Sequence, residues 1–187
     1  MKCRGKGFTL IELLVAVALI AILLAIGVPN FGSFISQSRV DSVKNKLVSS
    51  IATARSEAIR AGSRVVICRK NAGADTCNGS STASGNADWS EGWLIFRDDD
   101  DDTVVDPGEL IKVHADIADG ASIQYSRGDA IIFNGSGLLV SSSSADEVFS
   151  ISDATDNSIG AGVSVRPTGR IRMCAEWVAS TATCSDS

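Results

Sequence analysis

An apolar run at residues 8–28, broken by the single carboxylate of Glu12, constrains this chain more than any other feature. As a helix rising about 1.5 Å per residue, the run is long enough to cross the roughly 30 Å hydrocarbon core of a bilayer. Lys2, Arg4 and Lys6 precede it, and basic residues beside a membrane span stay on the cytoplasmic side. The sequence therefore predicts a transmembrane helix at 8–28 that crosses a membrane once, with the N-terminus in the cytoplasm and the rest of the chain on the other side.

The carboxylate inside this run needs an explanation, because an acidic side chain in a membrane span costs about 3 kcal/mol and is normally kept for a function. The segment Lys6-Gly7-Phe8-Thr9-Leu10-Ile11-Glu12 resembles the prepilin motif of type IV pilins and type II secretion pseudopilins. The resemblance implies that residues 1–7 are a leader, that a prepilin peptidase cuts after Gly7, and that Phe8 becomes the methylated N-terminus. It also implies that Glu12 of one subunit pairs with the terminal amine of a neighbour and so fixes the register of a filament.

Length and charge constrain the part of the chain beyond the apolar run. A chain of 187 residues has room for one globular domain beside a membrane segment. The formal net charge is −5, and three of the cations lie before the run, so the remainder is more acidic still. Binding of nucleic acid through overall charge is therefore disfavoured, and any such binding requires a local basic patch.

The cysteines indicate an oxidising compartment. Cys3 lies in the leader, which leaves an even set of four: Cys68, Cys77, Cys174 and Cys184. No Cys-x-x-Cys occurs and the chain has one histidine, so disulfides are favoured over zinc. Of the three connectivities that four cysteines allow, the short spacings favour Cys68 with Cys77 and Cys174 with Cys184.

The pattern after the apolar run predicts an α+β fold, with a long N-terminal helix packed on antiparallel sheet. Residues 29–61 read as an amphipathic continuation of the helix, with apolar positions three or four apart and Gly62 as its terminator. Residues 62–187 read as a β-rich head. We expect strands at 64–69, 93–97, 110–114, 123–125, 130–133, 138–140, 148–152, 163–166 and 170–174, with a hairpin turn at 134–137.

Motifs in the head resemble the GspH and FimT branch of pilin-like proteins, which comprises minor pilins and pseudopilins. The segments that carry the resemblance are Val66-Ile67-Cys68-Arg69, Trp89-Ser90-Glu91-Gly92-Trp93-Leu94-Ile95-Phe96, Pro107-Gly108-Glu109-Leu110 and Gly169-Arg170-Ile171-Arg172-Met173-Cys174. The resemblance implies a filament subunit whose partners are other pilins or pseudopilins, the prepilin peptidase and the inner membrane. It leaves two machines open: a type IV pilus, with this chain at or near the tip, or the type II protein secretion system.

Three arginines lie close together near the C-terminus, at Arg166, Arg170 and Arg172. On a strand, Arg170 and Arg172 point to one face, where they could contact successive phosphates. In FimT proteins a Gly-Arg-x-Arg motif is associated with DNA binding during natural transformation, and Gly169, Arg170 and Arg172 match it here. The alternative is that the arginines pair with acidic neighbours on a solvated face, so double-stranded DNA is a candidate partner.

An acidic run begins at Asp98. Five carboxylates match positions 1, 3, 5, 9 and 12 of a calcium-binding loop, but Thr103 replaces the glycine expected at position 6. These candidate ligands are Asp98, Asp100, Asp102, Asp106 and Glu109. An exposed hairpin tip would show the same charge run, and we expect no other metal or cofactor.

The remaining conspicuous residues suggest no catalytic site. Trp89 and Trp93 lie beside an apolar strand, so we expect them in the core and not as stacking platforms for bases. His114 ends a strand with no evident partner. Because no nucleophile, base and orienting group come together, a membrane-anchored periplasmic enzyme is the least favoured function, and we expect no enzymatic activity.

Overall fold

The computed structural model describes residues 8–79, 87–115, 120–140, 146–174, 176–178 and 183–185. At 24–31, 176–178 and 183–185 it describes the backbone alone. The chain divides into two units, Met1–Ser36 and Gln37–Ser187. The leader, including Gly7, lies outside the described residues. Every buried residue of the hydrophobic core belongs to the second unit, which therefore carries its own core and qualifies as an independently folding head.

Helix α1 spans Leu10–Ala61 and has a defined beginning and end. The side-chain oxygen of Thr9 accepts a hydrogen bond of 3.3 Å from the backbone N–H of Glu12, which caps the first turn. Gly62 follows the last helical residue with a φ of +64°, a conformation that glycine adopts without steric cost. The predicted terminator is confirmed.

The second half of α1 buries one face against the sheets. The predicted apolar positions are at most 1% exposed, and they are Val40, Val43, Leu47, Ile51, Ala54 and Ala58. Their spacing of three and four residues keeps them on one side of a helix with 3.6 residues per turn. The amphipathic continuation is thus confirmed in the part that packs on the head.

Eleven strands follow α1 among the described residues. They are β1 Arg64–Arg69, β2 Ala87–Asp88, β3 Gly92–Asp98, β4 Leu110–Ala115, β5 Ala121–Tyr125, β6 Ala130–Phe133, β7 Glu147–Asp153, β8 Gly160–Val165, β9 Ile171–Met173, β10 Glu176–Val178 and β11 Thr183–Ser185. The strand predicted at 138–140 is wrong: Leu139 forms a single bridge to Phe133 after the turn at 134–137, which is confirmed.

The strands form three sheets whose described pairs are all antiparallel. The first has the order β4-β3-β1-β6, the second β2-β5-β7-β8-β9, and β10 pairs with β11. In the first sheet, alternate residues of β1 enter different clusters: Val65 and Ile67 face α1, whereas Val66 and Cys68 face away. Both faces of this sheet are therefore covered, which explains why β1 reads as an unbroken apolar run. The α+β class is confirmed.

Three aromatic rings meet in the main core. Trp89 packs edge-on against Tyr125 and Phe149, and both predicted core tryptophans, Trp89 and Trp93, are fully buried. The hydroxyl of Tyr125 donates a hydrogen bond to the buried carboxylate of Glu147. Burial, and then the neighbouring negative charge, raise the pKa of Tyr125 far above its ordinary value of about 10. This tyrosine stays neutral in the folded head.

Candidate functional site

The N-terminal residues of the described chain are apolar and exposed. Phe8 is 83% exposed, and Leu10, Ile11 and Leu13 all exceed 60%. Among the described residues, none of the helices combines the length and the apolar character needed to cross a membrane. The membrane span at 8–28 stays a prediction, as do the roles of Gly7, Phe8 and Glu12.

The C-terminal arginines gather on one hairpin, which we call the arginine hairpin and define as residues 166–172. It joins β8 to β9 through a tight turn, in which the Arg166 N–H donates to the Arg170 carbonyl at 2.9 Å and the Gly169 N–H donates to the Arg166 carbonyl at 2.7 Å. Arg166, Arg170, Ile171 and Arg172 line one groove of about 390 Å³. The arginines lie together, as the spacing predicted.

The three guanidinium groups differ in their surroundings. Arg170 is exposed and Arg172 is half-buried, while Ile171 between them packs against the main core. Arg166 lies 3.6 Å from a carboxylate oxygen of Asp146, and both side chains are more than a third exposed. An ion pair so exposed to water contributes little to stability, so Arg166 remains able to exchange Asp146 for another anion.

The arginine hairpin is fastened to α1 by Arg55, a residue that the sequence did not single out. The Arg55 Nε donates to the Gly137 carbonyl at 3.0 Å, and its Nη2 donates to the Thr168 carbonyl at 3.3 Å. These partners lie 82 and 113 residues further along the chain, and no local pattern signals the contact. Arg55 thus holds two turns, 134–137 and 166–169, against the helix.

Gly169, the first residue of the Gly-Arg-x-Arg motif, sits in the tightest part of this junction. Its φ is +73°, and a Cβ added there would lie 2.2 Å from the Gly137 carbonyl oxygen and 2.7 Å from the Arg55 Nε. Any side chain would push the hairpin off the helix. The glycine of the motif therefore sets the position from which Arg170 and Arg172 project.

The acidic loop brings three predicted calcium ligands together. Carboxylate oxygens of Asp98, Asp100 and Asp102 lie within 4.8 Å of one another. Thr103 adopts a φ of +63°, the left-handed conformation for which a glycine was expected. Asp98, however, lies 3.0 Å from the Arg64 Nε, a cation that already balances one carboxylate.

The other two predicted ligands are Glu109, which is hydrogen-bonded within the loop, and Asp106. The carboxylate of Glu109 accepts hydrogen bonds from the backbone N–H groups of Asp99, at 3.0 Å, and Asp106, at 3.1 Å. The Asp106 side chain is exposed. This arrangement accounts for the conformation of the loop, and calcium binding by it stays a prediction.

His114 has partners that the sequence did not reveal. Its Nε2 lies 3.0 Å from the Ser50 Oγ, and its ring lies 5.1 Å from that of Trp93. The Ser50 hydroxyl donates to the Lys46 carbonyl at 2.8 Å, an arrangement that suits the His114 tautomer with its proton on Nε2. Burial, followed by the nearby charges of Lys112 and Lys46, lowers the pKa of His114.

One predicted disulfide is confirmed. Cys68 and Cys77 are bonded, with Cα atoms 5.6 Å apart, and Cys77 packs over the outer cluster of the first sheet. Cys174 is also disulfide-bonded. The side chain of Cys184 lies outside the described residues, so the pairing of Cys174 with Cys184 stays a prediction.

Two family models match the chain. The model of the type II transport protein GspH matches residues 44–169, and that of the prokaryotic N-terminal methylation motif matches residues 2–28. The second match covers Gly7, Phe8 and Glu12, which confirms the pilin-type N-terminus as a motif.

Curated relatives match a part of the chain. The type IV major fimbrial protein FimA of Dichelobacter nodosus is 48% identical over 46 residues, which are 25% of this chain and 30% of that protein. The type IV major pilin protein PilA of Myxococcus xanthus is 50% identical over 44 residues, 24% of this chain and 20% of that protein. A fimbrial protein of Pseudomonas aeruginosa is 41% identical over 66 residues, 35% of this chain and 42% of that protein. The chain thus spans less than half the length of these relatives.

A solved structure matches most of the chain. The type IV minor pilin FimU of Pseudomonas aeruginosa superposes with a TM-score of 0.54, covering 79% of this chain and 95% of that one. The sequences are 19% identical, so the likeness shows the fold alone. An N-terminal helix packed on antiparallel sheets is the fold that the two proteins share.

Proposed function

This chain belongs to the GspH family of pilin-like proteins, which are structural subunits and not enzymes, and we propose that it is a minor type IV pilin that binds DNA through the arginine hairpin. The observation that carries the DNA part is the groove in which Arg166, Arg170 and Arg172 meet on a protein of net charge −5. A concentrated basic site on an acidic surface is suited to a polyanion.

The N-terminal part of the proposal concerns assembly. The prepilin peptidase cuts after Gly7, and the methylated amine of Phe8 pairs with Glu12 of an adjoining subunit. Before assembly, residues 8–28 hold the chain in the inner membrane with its head in the periplasm. Support comes from the match to the N-terminal methylation motif and from the exposed apolar side chains of this segment.

The role of Glu12 is tested by Glu12→Leu. The variant should be inserted and processed, because both the basic leader and the cleavage site are intact. It should then fail to enter filaments, because the charge pair that sets the register is lost. Mass spectrometry of the N-terminus and immunoblotting of sheared filaments read the two steps separately, and normal incorporation of the variant would remove the register argument.

Binding at the arginine hairpin should be indifferent to base sequence. Guanidinium groups grip phosphate oxygens in a bidentate manner, and contacts to phosphates carry charge and position but no base information. Besides the three arginines, the described lining of the groove is Ile171 alone, and such a lining favours contacts to the phosphates, which are the same in every sequence. We expect double-stranded DNA of any sequence to bind with similar affinity.

The test measures DNA binding by the head, residues 37–187, at several salt concentrations. Replacing Arg170 and Arg172 by alanine removes two phosphate contacts, so the slope of log K against log salt should fall by about 1.8. The matched control replaces Arg60 and Arg97, two arginines outside the groove whose side chains are 72% and 43% exposed, and lowers the net charge equally. Equal effects of the two double variants, or no effect of the first, would refute the assignment to the hairpin.

A second candidate keeps the family and changes the machine. The matching family model is that of a type II transport protein, which favours a pseudopilin of the type II protein secretion system. Deleting the gene distinguishes the two: loss of natural transformation with normal protein secretion supports the pilus, and the reverse result supports the secretion system.

A further inference from the structure

A second charged surface lies where α1 ends. A pocket of about 460 Å³ opens there, and we call it the acidic pocket; its charged lining consists of Asp98, Asp99, Asp101 and Arg64. Asp98 and Asp101 share the guanidinium of Arg64, while Asp99 pairs with Arg97 at 2.7 Å, so the carboxylates exceed the cations by one. The C-terminal end of α1, at Ala61, adds the partial negative charge of its last carbonyl groups. The pocket favours a cationic occupant.

Buried polar atoms in this pocket lack hydrogen-bond partners. Among the described residues, the buried side-chain atoms without such a partner include Ser63 Oγ, Arg64 Nε and Asp98 Oδ2, and all three residues line the pocket. Arg64 Nε and Asp98 Oδ2 are 3.0 Å apart and attract as charges, but they do not have hydrogen-bond geometry. Arg64 and Asp98 thus form an ion pair enclosed in the wall of the pocket, and Ser63 Oγ is the remaining one of these three atoms without a polar partner.

Apolar side chains border the acidic pocket. Val140 is part of its lining and is 45% exposed, and Leu138 and Ile59 are 44% and 52% exposed. Gly137 packs against Ile59, and Leu138 is the residue that follows Gly137 in the sequence. Apolar groups beside a charged pocket are the composition expected of a protein contact.

The turn at 134–137 separates the acidic pocket from the arginine hairpin. On one side Gly135 packs so closely on Gly62 that an added Cβ would lie 2.5 Å from its carbonyl. On the other side the Gly137 carbonyl packs on Gly169. One surface of the head therefore carries, in order, an acidic pocket, an apolar strip and a basic hairpin.

We propose that this surface is self-complementary, with the arginine hairpin of one copy seated in the acidic pocket of a second copy. In a two-fold dimer, a residue pair that joins the first copy to the second recurs with the copies exchanged. An acidic site and a basic site on either side of one turn allow this, because each copy then supplies one hairpin and one pocket. The planar guanidinium of Arg170 suits the exposed carboxylate of Asp101, and the apolar strips of the two copies meet between the charged ends. This inference goes beyond DNA binding, and DNA competes with the second copy for Arg170.

The test follows self-association of the head, residues 37–187, by sedimentation equilibrium at low salt. Asp101→Arg and Arg170→Asp each place like charges opposite one another in the homodimer, which should weaken association at least about tenfold. Asp101 and Arg170 are exposed, so both variants should fold. An equimolar mixture of the two should associate like the wild type, since the swapped charges attract and the second contact is unaltered.

The matched control is Asp75→Arg, which changes the net charge equally on an exposed loop outside both surfaces. It should associate like the wild type. Mixing it with Arg170→Asp should give weaker association than the Asp101→Arg mixture, because that heterodimer keeps one contact and places like charges opposite one another in the other. A wild-type head that stays monomeric at millimolar concentration, or a mixture no stronger than its components, would overturn the proposal. Asp101→Arg should retain DNA binding, so failure of this inference and failure of the DNA proposal give different results.

Discussion

The junction at Gly169 yields a prediction whose magnitude can be worked from the structure. In Gly169→Ala the residue must keep a φ of +73°, which costs an L-residue about 1–2 kcal/mol. The new methyl would also lie 2.2 Å from the Gly137 carbonyl oxygen, so the turn must shift and the hydrogen bond from Arg55 is lost. A hydrogen bond from a charged donor contributes about 1.5–3 kcal/mol, which brings the expected loss in free energy of unfolding to about 2.5–5 kcal/mol.

The chain offers a matched control for the backbone part of this cost. Gly73 has a φ of +74°, and a Cβ added there meets nothing within 4 Å. Gly73→Ala should therefore lose only the cost of the left-handed conformation, about 1–2 kcal/mol. Urea unfolding of the head, followed by circular dichroism, measures both variants, and the difference between them isolates the contact with Arg55 and Gly137.

The same pair of variants links stability to function. Because Gly169→Ala displaces the hairpin that carries Arg170, it should weaken DNA binding under conditions where the protein remains folded, whereas Gly73→Ala should leave binding unchanged. If the two alanine variants lose equal stability, the junction is not tightly packed and the reasoning about Gly169 is refuted. If only stability differs, the glycine supports the fold and does not position the arginines.

Three further predictions concern the head. Replacing Cys68 and Cys77 by serine removes a disulfide that links residues 9 positions apart and should lower the free energy of unfolding by about 2.5 kcal/mol. Chemical denaturation measures the change, and an unchanged free energy would show that closing this loop does not stabilise the head. Tyr125→Phe leaves the carboxylate of Glu147 without its donor and should cost about 1.5–3 kcal/mol. Because the pKa of Tyr125 is raised, its contribution to the free energy of unfolding is complete below about pH 10 and is lost as the pH rises further. Between neutral pH and alkali, Tyr125→Phe should therefore lose less stability than the wild type. The lowered pKa of His114 means that the wild type loses stability as the pH falls below about 6.5; His114→Gln should flatten thermal unfolding profiles there, and an unchanged profile would contradict the assignment.

The parts of the fold that the sequence predicted are those fixed by short-range patterns. Apolar residues three and four apart give one buried face to α1, because that spacing matches the helical repeat. A left-handed glycine at Gly62 ends the helix, and Cys68 and Cys77 are close enough along the chain to pair. The arginines of the hairpin were found for the same reason, since a turn of a few residues keeps them together.

Partners distant in sequence escaped prediction. The division of the strands between two sheets, the burial of both faces of β1 and the failure of 138–140 to form a strand depend on how the elements pack. The contact of Ser50 with His114 spans 64 residues, and that of Arg55 with Thr168 spans 113. Neither contact produces a periodic pattern in the sequence.

The sequence by itself thus determined the pilin-type N-terminus, the amphipathic helix and the clustering of arginines, because each depends on residues only a few positions apart. Only the tertiary structure decided that Arg55 and Gly137 hold the arginine hairpin, and that an acidic pocket lies on the other side of the same turn. The physical reason is that these sites are made by backbone segments more than 30 residues apart, such as Arg64 with Asp98 and Asp101, which meet only when the sheets close on α1.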